Sequence, residues 1–279
     1  MIRKLKLRNP FILAPMHQIN DPAFRELCKI NGCGLAYTWL LNPRTKEKIR
    51  LDDHPAVQIA TPSEKGVGDF VKKHDKKAFS FDLNLGCPVI KAKEQDYGAY
   101  LQKKPETVEN ILKLMRKSTK KPITVKIRKS PQVMKLIKIF EKYCDAIAIH
   151  PRTAKQGYSG IPDIRFAESF KKKTKLPVIY SGDVDEKNAI ELLKKFDYVM
   201  IGRKAIGNPA IFAALTGTRP RNSFKEYLKL AKTCKIGFSQ MKFQALNFTK
   251  GRSNSKKVRV RLSTAKNLKE LKKIMSELD

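Results

Sequence analysis

Eight short apolar runs, separated by amphipathic stretches or long loops, predict a (β/α)8 TIM barrel. A change near Gly217 to helical, strongly basic sequence predicts a small C-terminal all-helical domain after it. The expected division is residues 1–216 for the barrel and 217–279 for the helical domain. A chain of 279 residues, 41% of them hydrophobic, suffices for one large core with a small appendage. An open doubly wound sheet is the competing architecture. It would want a glycine-rich turn after the first strand, and the turn Ala14-Pro15-Met16-His17 has no glycine.

Taken in order, the expected strands are residues 11–14, 34–37, 56–60, 79–85, 123–127, 146–150, 177–180 and 198–201. Between them the apolar spacing turns helical. Residues 22–30 follow Asn20-Asp21, a pair suited to capping a helix. Residues 105–116 carry Val108, Ile111, Leu112 and Met115 on one face. Stretches 133–143, 163–173 and 185–195 repeat that pattern. Residues 216–222, TGTRPRN, have the composition of a linker. Beyond them Tyr227, Leu230 and Cys234 mark one helical stretch, and Leu268, Leu271, Met275 and Leu278 mark the last.

The formal net charge of +33 is far more than solubility needs and points to a polyanionic partner. The charge is uneven. Residues 219–279 hold 17 basic and 4 acidic residues, a net of +13, while the 218 residues before them carry the other +20. A small basic helical domain fits a grip on nucleic acid. Its run 250–261, KGRSNSKKVRVR, reads equally well as part of that grip and as a solvated helix end or loop. The cysteines at 28, 33, 87, 144 and 234 are odd in number and lack zinc-ligand spacing, so no metal site is expected. With no signal-peptide pattern, a reducing, cytoplasmic setting is expected. No uncharged apolar run is long enough to span a membrane. So large a like charge disfavours self-association, so a monomer is expected.

In a barrel, chemistry sits at the C-terminal ends of the strands. The fourth strand ends in the motif FDLNLGCP, which places Asn84 and Cys87 there. The third offers Gln58, an amide inside an apolar run. The fifth ends in Lys126-Ile127-Arg128, where strand alternation sends both cations the same way. The sixth ends in His150-Pro151-Arg152-Thr153, the seventh in Ser181-Gly182-Asp183 and the eighth in Gly202-Arg203. Loops after strands seven and eight form the usual phosphate site of such barrels, and here both carry a glycine that exposes backbone N–H, with Arg203 as a fixed cation. A cofactor with one phosphate and a flat ring suits this rim.

These motifs resemble the tRNA-dihydrouridine synthase family. The resemblance rests on APMHQINDPAFR, VQIA, DLNLGCP, GAYLQKKPE, VKIR, HPRTAKQGYSG, SGDV and IGRKAIGNPAIF, which occur in family order and span nearly the whole expected barrel. It implies an FMN-bound barrel that reduces the 5,6 double bond of a uridine in tRNA, with NADPH as reductant. It implies flavin contacts at Pro15, Met16, Gln58, Lys126, His150, Ser181, Gly182, Asp183, Gly202 and Arg203. Cys87 becomes the general acid, and Asn84, Arg128 and Tyr158 line the place of the target uracil. The sequence departs from the family pattern at His17-Gln18, in the charged loop 91–96, and at Ser181, where asparagine is frequent.

The chemistry so implied is consistent with the residue types. Hydride goes to uracil carbon 6 and Cys87 protonates carbon 5 from the opposite face; a free thiol is mostly protonated near neutrality, as an acid must be. Arg128 supports charge developing on a uracil oxygen, and Asn84 reads the ring edge. The target base has to leave its stack to enter a barrel mouth, which gives the basic tail its task. Two alternatives stay open. An FMN barrel acting on a free pyrimidine has no need of the basic tail. A non-catalytic RNA-binding barrel has no need of Cys87, Lys126 and His150.

Overall fold

The computed structural model describes residues 5–45 and 49–277; Leu278, expected in the last helix, lies outside them. Eight parallel strands form the barrel: β1 (Phe11–Leu13), β2 (Leu35–Ala36), β3 (Ala56–Ile59), β4 (Ser80–Leu85), β5 (Ile123–Arg128), β6 (Ala146–His150), β7 (Val178–Tyr180) and β8 (Tyr198–Ile201). They pair in the order β2-β1-β8-β7-β6-β5-β4-β3. The remaining seam is closed by parallel bridges from Tyr37 to Ala56 and from Leu41 to Ile59. All eight strands fall on the expected apolar runs.

Alternation along the strands sorts the side chains into two sets. Leu13, Val57, Ile59, Phe81, Leu83, Val125, Ile127, Ile147 and Ile149 join the large cluster shared with the surrounding helices. Ile12, Ala14, Tyr37, Ala56, Ala146, Ala148, Ile179 and Met200 make a second cluster in the lumen. The lumen set continues upward into polar residues: Gln58 after Ala56, Asp82 and Asn84 on β4, Thr124 and Lys126 on β5, His150 after Ala148. The apolar bottom and polar top of the lumen are therefore written in the alternation along each strand.

The helices are α1 (Pro22–Ile30), α2 (Val67–His74), α3 (Ile90–Glu94), α4 (Pro105–Ser118), α5 (Ile137–Tyr143), α6 (Ile164–Lys172), α7 (Ala189–Leu193) and α8 (Ile211–Thr216), then α9 (Phe224–Thr233), α10 (Phe238–Phe248), α11 (Ser255–Thr264) and α12 (Leu268–Met275). Three expectations need correction. The stretch 133–143 opens as a 3-10 turn, Val133–Leu136, before α5. The stretch 185–195 is helical only over α7, because Asp185 accepts from the backbone N–H of Lys187 (3.0 Å) and Asn188 (3.3 Å) and makes a turn there. The charged stretch 91–96, read as a loop, is helical over residues 91–94, within α3. The basic run 250–261 is a turn followed by most of α11.

The helical tail packs on the barrel through buried polar contacts. Gly217 ends α8 in the left-handed region (φ 71°), and α9 starts with a Ser223–Glu226 capping box. Asp21, which caps α1, also accepts from Gln244 Nε2 (2.7 Å), Gln240 Nε2 (3.0 Å) and Tyr227 Oη (3.2 Å). A Cβ on Gly207 (φ 69°) would meet the Asn247 carbonyl oxygen at 2.0 Å, so only glycine lets α10 approach the barrel this closely.

Candidate active site

The site grows from a hydrogen-bonded chain across β5, β4 and β3. Asp82 is fully buried and accepts from Thr124 Oγ1 (2.5 Å) and Gln58 Nε2 (2.7 Å). Gln58 Oε1 accepts from Asn84 Nδ2 (2.7 Å). Asn84 Oδ1 in turn accepts from the backbone N–H of Gly86 (3.1 Å) and Cys87 (2.9 Å). The loop carrying Cys87 is thus tied to the polar top of the lumen. Its other side is held by Gly98, whose φ of 64° only glycine adopts freely and whose Cβ would lie 2.6 Å from the Cys87 carbonyl oxygen. The Ala99 N–H donates to that same carbonyl at 3.0 Å. Burial pushes the Asp82 carboxyl up to about 6, against the pull of its two hydrogen bonds and Lys126.

Lys126 and His150 stand beside this chain, and both are driven toward neutrality. Burial first and Arg128 second push the Lys126 ammonium down to about 8. Burial, with Lys126, Arg128, Arg152 and Arg203 around it, pushes His150 down to about 2. His150 is therefore a neutral imidazole. Arg152 Nη1 lies 3.2 Å from its Nε2, and because an arginine only donates, Nε2 is the acceptor and Nδ1 carries the proton.

Arg128 turns most of its guanidinium to the backbone. Its Nε donates to Gly86 O (2.9 Å) and its Nη1 to Gly157 O (2.7 Å) and Thr153 O (3.0 Å). It therefore joins the Cys87 loop to the loop bearing Tyr158. The Tyr158 ring lies between the Arg128 (5.6 Å) and Arg203 (4.9 Å) guanidinium carbons. Asp183 has a left-handed backbone (φ 46°) and pairs with Arg152 and Arg203, each at 2.5 Å. The Arg152 hydrogen bond, with both arginine charges, holds its carboxyl below the usual range despite partial burial.

Two adjoining cavities collect these residues. One, of about 590 Å³, is lined by Pro15, Met16, Lys126, His150, Tyr158, Ser181, Gly182, Asp183, Gly202 and Arg203, with Lys204 and Lys250 at its rim. The other, of about 560 Å³, adds Gln58, Asn84, Cys87 and Arg128. Pro15, Met16, Lys126, His150, Tyr158 and Arg203 belong to both. Every residue singled out in the sequence as catalytic, cofactor-binding or substrate-binding thus lines one connected depression at the C-terminal ends of the strands. Asp82, Thr124, Gly98 and Arg152 escaped that reading. Asp82 had a signal, since it shares the parity of Asn84 in the same motif; Gly98 and Arg152 act through contacts that spacing does not show.

The comparisons agree with this geometry. The sequence model of the dihydrouridine synthase (Dus) family matches residues 12–278. The chain belongs to the dihydrouridine synthase family. It is 29% identical over 257 residues to tRNA-dihydrouridine synthase B of Pasteurella multocida, covering 84% of this chain and 77% of that one. It is 29% identical over 303 residues to a probable tRNA-dihydrouridine synthase of Aquifex aeolicus, covering 95% of both. The barrel also superposes on TcOYE, solved with pHBA, at a TM-score of 0.60 and 10% identity, over 82% of this chain and 94% of that one; this is a likeness of fold. For a dihydrouridine synthase the connected depression is the place where its reaction is expected.

Proposed function

We propose that this protein is a tRNA-dihydrouridine synthase that uses FMN, with NADPH as reductant and Cys87 as the proton donor. The observation that carries the reading is the tethering of Cys87 beside Lys126 and His150, in a depression whose far end gathers Arg203, Lys204 and Lys250. The residues fit a flavin mononucleotide. Gly182 and Gly202 both line the cavity and set no side chain between it and their main chain. Arg203, Lys204 and Lys250 stand at the end near Gly182 and Gly202, the first two shared with Asp183 and Asp185, and supply the cations a phosphate requires. Pro15, Met16, Gln58, Lys126, His150, Ser181, Gly182, Asp183, Gly202 and Arg203 would hold it. When bound and reduced, the flavin supplies the hydride that goes to uracil carbon 6.

The chain's own residues do the rest. The Cys87 thiol gives its proton to carbon 5, which completes addition of one hydride and one proton across the double bond. Asn84 fixes the Cys87 main chain, so the thiol meets the base at a defined height above the lumen. Neutral His150, with its proton on Nδ1, donates a hydrogen bond without adding positive charge. Lys126 keeps most of its charge at neutral pH and favours electron density gathering on a nearby ring edge. Tyr158, held between two arginines, offers a ring face to an entering base.

The test is spectroscopic and then chemical. The purified protein should show a flavin band that bleaches with NADPH under anaerobic conditions, and the reduced protein should convert uridine to dihydrouridine in tRNA lacking that modification. Cys87→Ala should retain flavin and tRNA binding while turnover falls about 10²–10⁴-fold. An unchanged rate would remove Cys87 from the role, and reduction of free uracil in preference to tRNA would favour the small-molecule alternative.

A further inference from the structure

Asp82 is a fully buried carboxylate that touches neither of the two cavities and has no part in the proton or hydride steps. It is nevertheless the origin of the chain that ends on Cys87. We propose that Asp82 is a positioning residue, whose carboxylate sets the direction of the Gln58 and Asn84 amides and thereby the place of the Cys87 main chain. The inference rests on the reading of this depression as the reductase site.

The argument is one of donors and acceptors. An amide side chain has two ends, and either end can face a given neighbour. An ionised carboxylate accepts only. Gln58 must therefore turn its Nε2 toward Asp82 (2.7 Å), which turns its Oε1 away. Asn84 must then present its Nδ2 to that oxygen (2.7 Å), which leaves its Oδ1 facing the Cys87 N–H (2.9 Å). Reversing both amides would set Asn84 Nδ2 against two backbone N–H groups, donor against donor. The acceptor at Asp82 and the two N–H donors at Gly86 and Cys87 thus fix the chain from its two ends, and Asp82 is the end that fixes Gln58. On its other side Asp82 accepts from Thr124 Oγ1 (2.5 Å), which lies 3.1 Å from Tyr37 Oη; this branch leads away from Cys87.

The two branches supply the experiment. Asp82→Asn can turn its amide nitrogen to Thr124, whose hydroxyl accepts as readily as it donates, and keep an oxygen for Gln58. Asp82→Leu removes the acceptor. Thr124→Val cuts the branch that leads away, as a control for loss of packing. The first readout is hydrogen exchange in the peptide containing Gly86 and Cys87, which depends on neither flavin nor tRNA. Asp82→Leu should raise exchange there at least about tenfold, with Asp82→Asn and Thr124→Val unchanged. The second is kcat on tRNA, which should fall about 10²-fold for Asp82→Leu and within about threefold for the other two.

If Asp82→Leu fails to fold, the pair Gln58→Glu and Gln58→Glu/Asp82→Asn decides. In the double variant the new carboxylate at position 58 accepts from the new amide at position 82 and from Asn84, so protection lost in the single variant should return. Unchanged exchange at Cys87 in Asp82→Leu, or no recovery in the double variant, overturns the proposal. Losses that follow melting temperature equally in Asp82→Leu and Thr124→Val also overturn it and leave Asp82 a packing residue. Absence of flavin or of tRNA activity in the unaltered protein would instead overturn the proposed function.

Discussion

Lys126 shows at the scale of one residue how a site works against the fold that holds it. Its ammonium is pushed from 10.5 down to about 8, chiefly by burial, so the folded protein binds that proton more weakly than the unfolded chain does. The penalty is complete below pH 8 and fades as pH rises from about 8 to 10.5, where the unfolded chain also loses the proton. Lys126→Met should therefore stabilise the flavin-free protein by about 1–3 kcal/mol at pH 7, with the gain vanishing toward pH 10.5. Urea denaturation of both proteins at several pH values checks this; a constant gain across that range would assign it to packing alone. Gly98 gives the opposite case. A Cβ there collides with the Cys87 carbonyl oxygen at 2.6 Å, so Gly98→Ala should displace the Cys87 loop and lower kcat about tenfold or more, with flavin content unchanged. Asn84 and Lys126 were legible because they sit near strand ends in the lumen parity, and Cys87 because it lies in the Gly-Cys-Pro turn just past β4. Gly98 was not, since its importance lies in a backbone angle and in a neighbour eleven positions away in sequence.

At the scale of elements, the strands were legible because each is a short apolar run bounded by turn residues, and all eight appear. The helices were less so. α10 has Met241, Gln244, Ala245 and Phe248 buried on one side, yet Phe238, Phe243 and Leu246 also pack against the core. A helix with partners on two sides shows no polar face, and its periodicity fades. α11 has the reverse problem, for only Val258 and Leu262 are buried among its basic residues. How the tail meets the barrel depends on Asp21, which the sequence marked only as a cap. Four donors point at its two oxygens: the Phe24 N–H, Tyr227 Oη, Gln240 Nε2 and Gln244 Nε2. An amide at this position must turn its NH2 toward one of those donors. Asp21→Asn should therefore destabilise the protein by about 2–4 kcal/mol and loosen α9 and α10 from α1, read as a lower urea midpoint and faster hydrogen exchange in α10.

For the whole molecule the decisive quantity is the placement of charge. A net charge of +33 repels itself, and it brings a gain only when an anion neutralises it. In the barrel several arginines are occupied by carboxylates: Arg25 pairs with Asp53, Arg116 with Asp145, and Arg152 and Arg203 with Asp183. In the tail, α11 is anchored by Val258 and Leu262, which leaves Lys256, Lys257 and Arg259 on its exposed side. Arg261 differs, since it pairs with Glu277. If the tail grips the RNA backbone through α11, each phosphate it neutralises releases counterions and steepens the salt dependence of binding. Lys256→Ala/Lys257→Ala/Arg259→Ala should then weaken tRNA binding and lower the slope of log Kd against log salt by about 2–3. Flavin content and kcat at saturating tRNA should stay as they were, because none of the three lines the depression. A slope left unchanged would move the grip off α11, to the lysines at 225, 229, 232 and 272 that surround the groove between α9 and α12. A fall in kcat without a change in slope would mean that α11 seats the base at the barrel mouth and leaves the holding of the backbone to other residues.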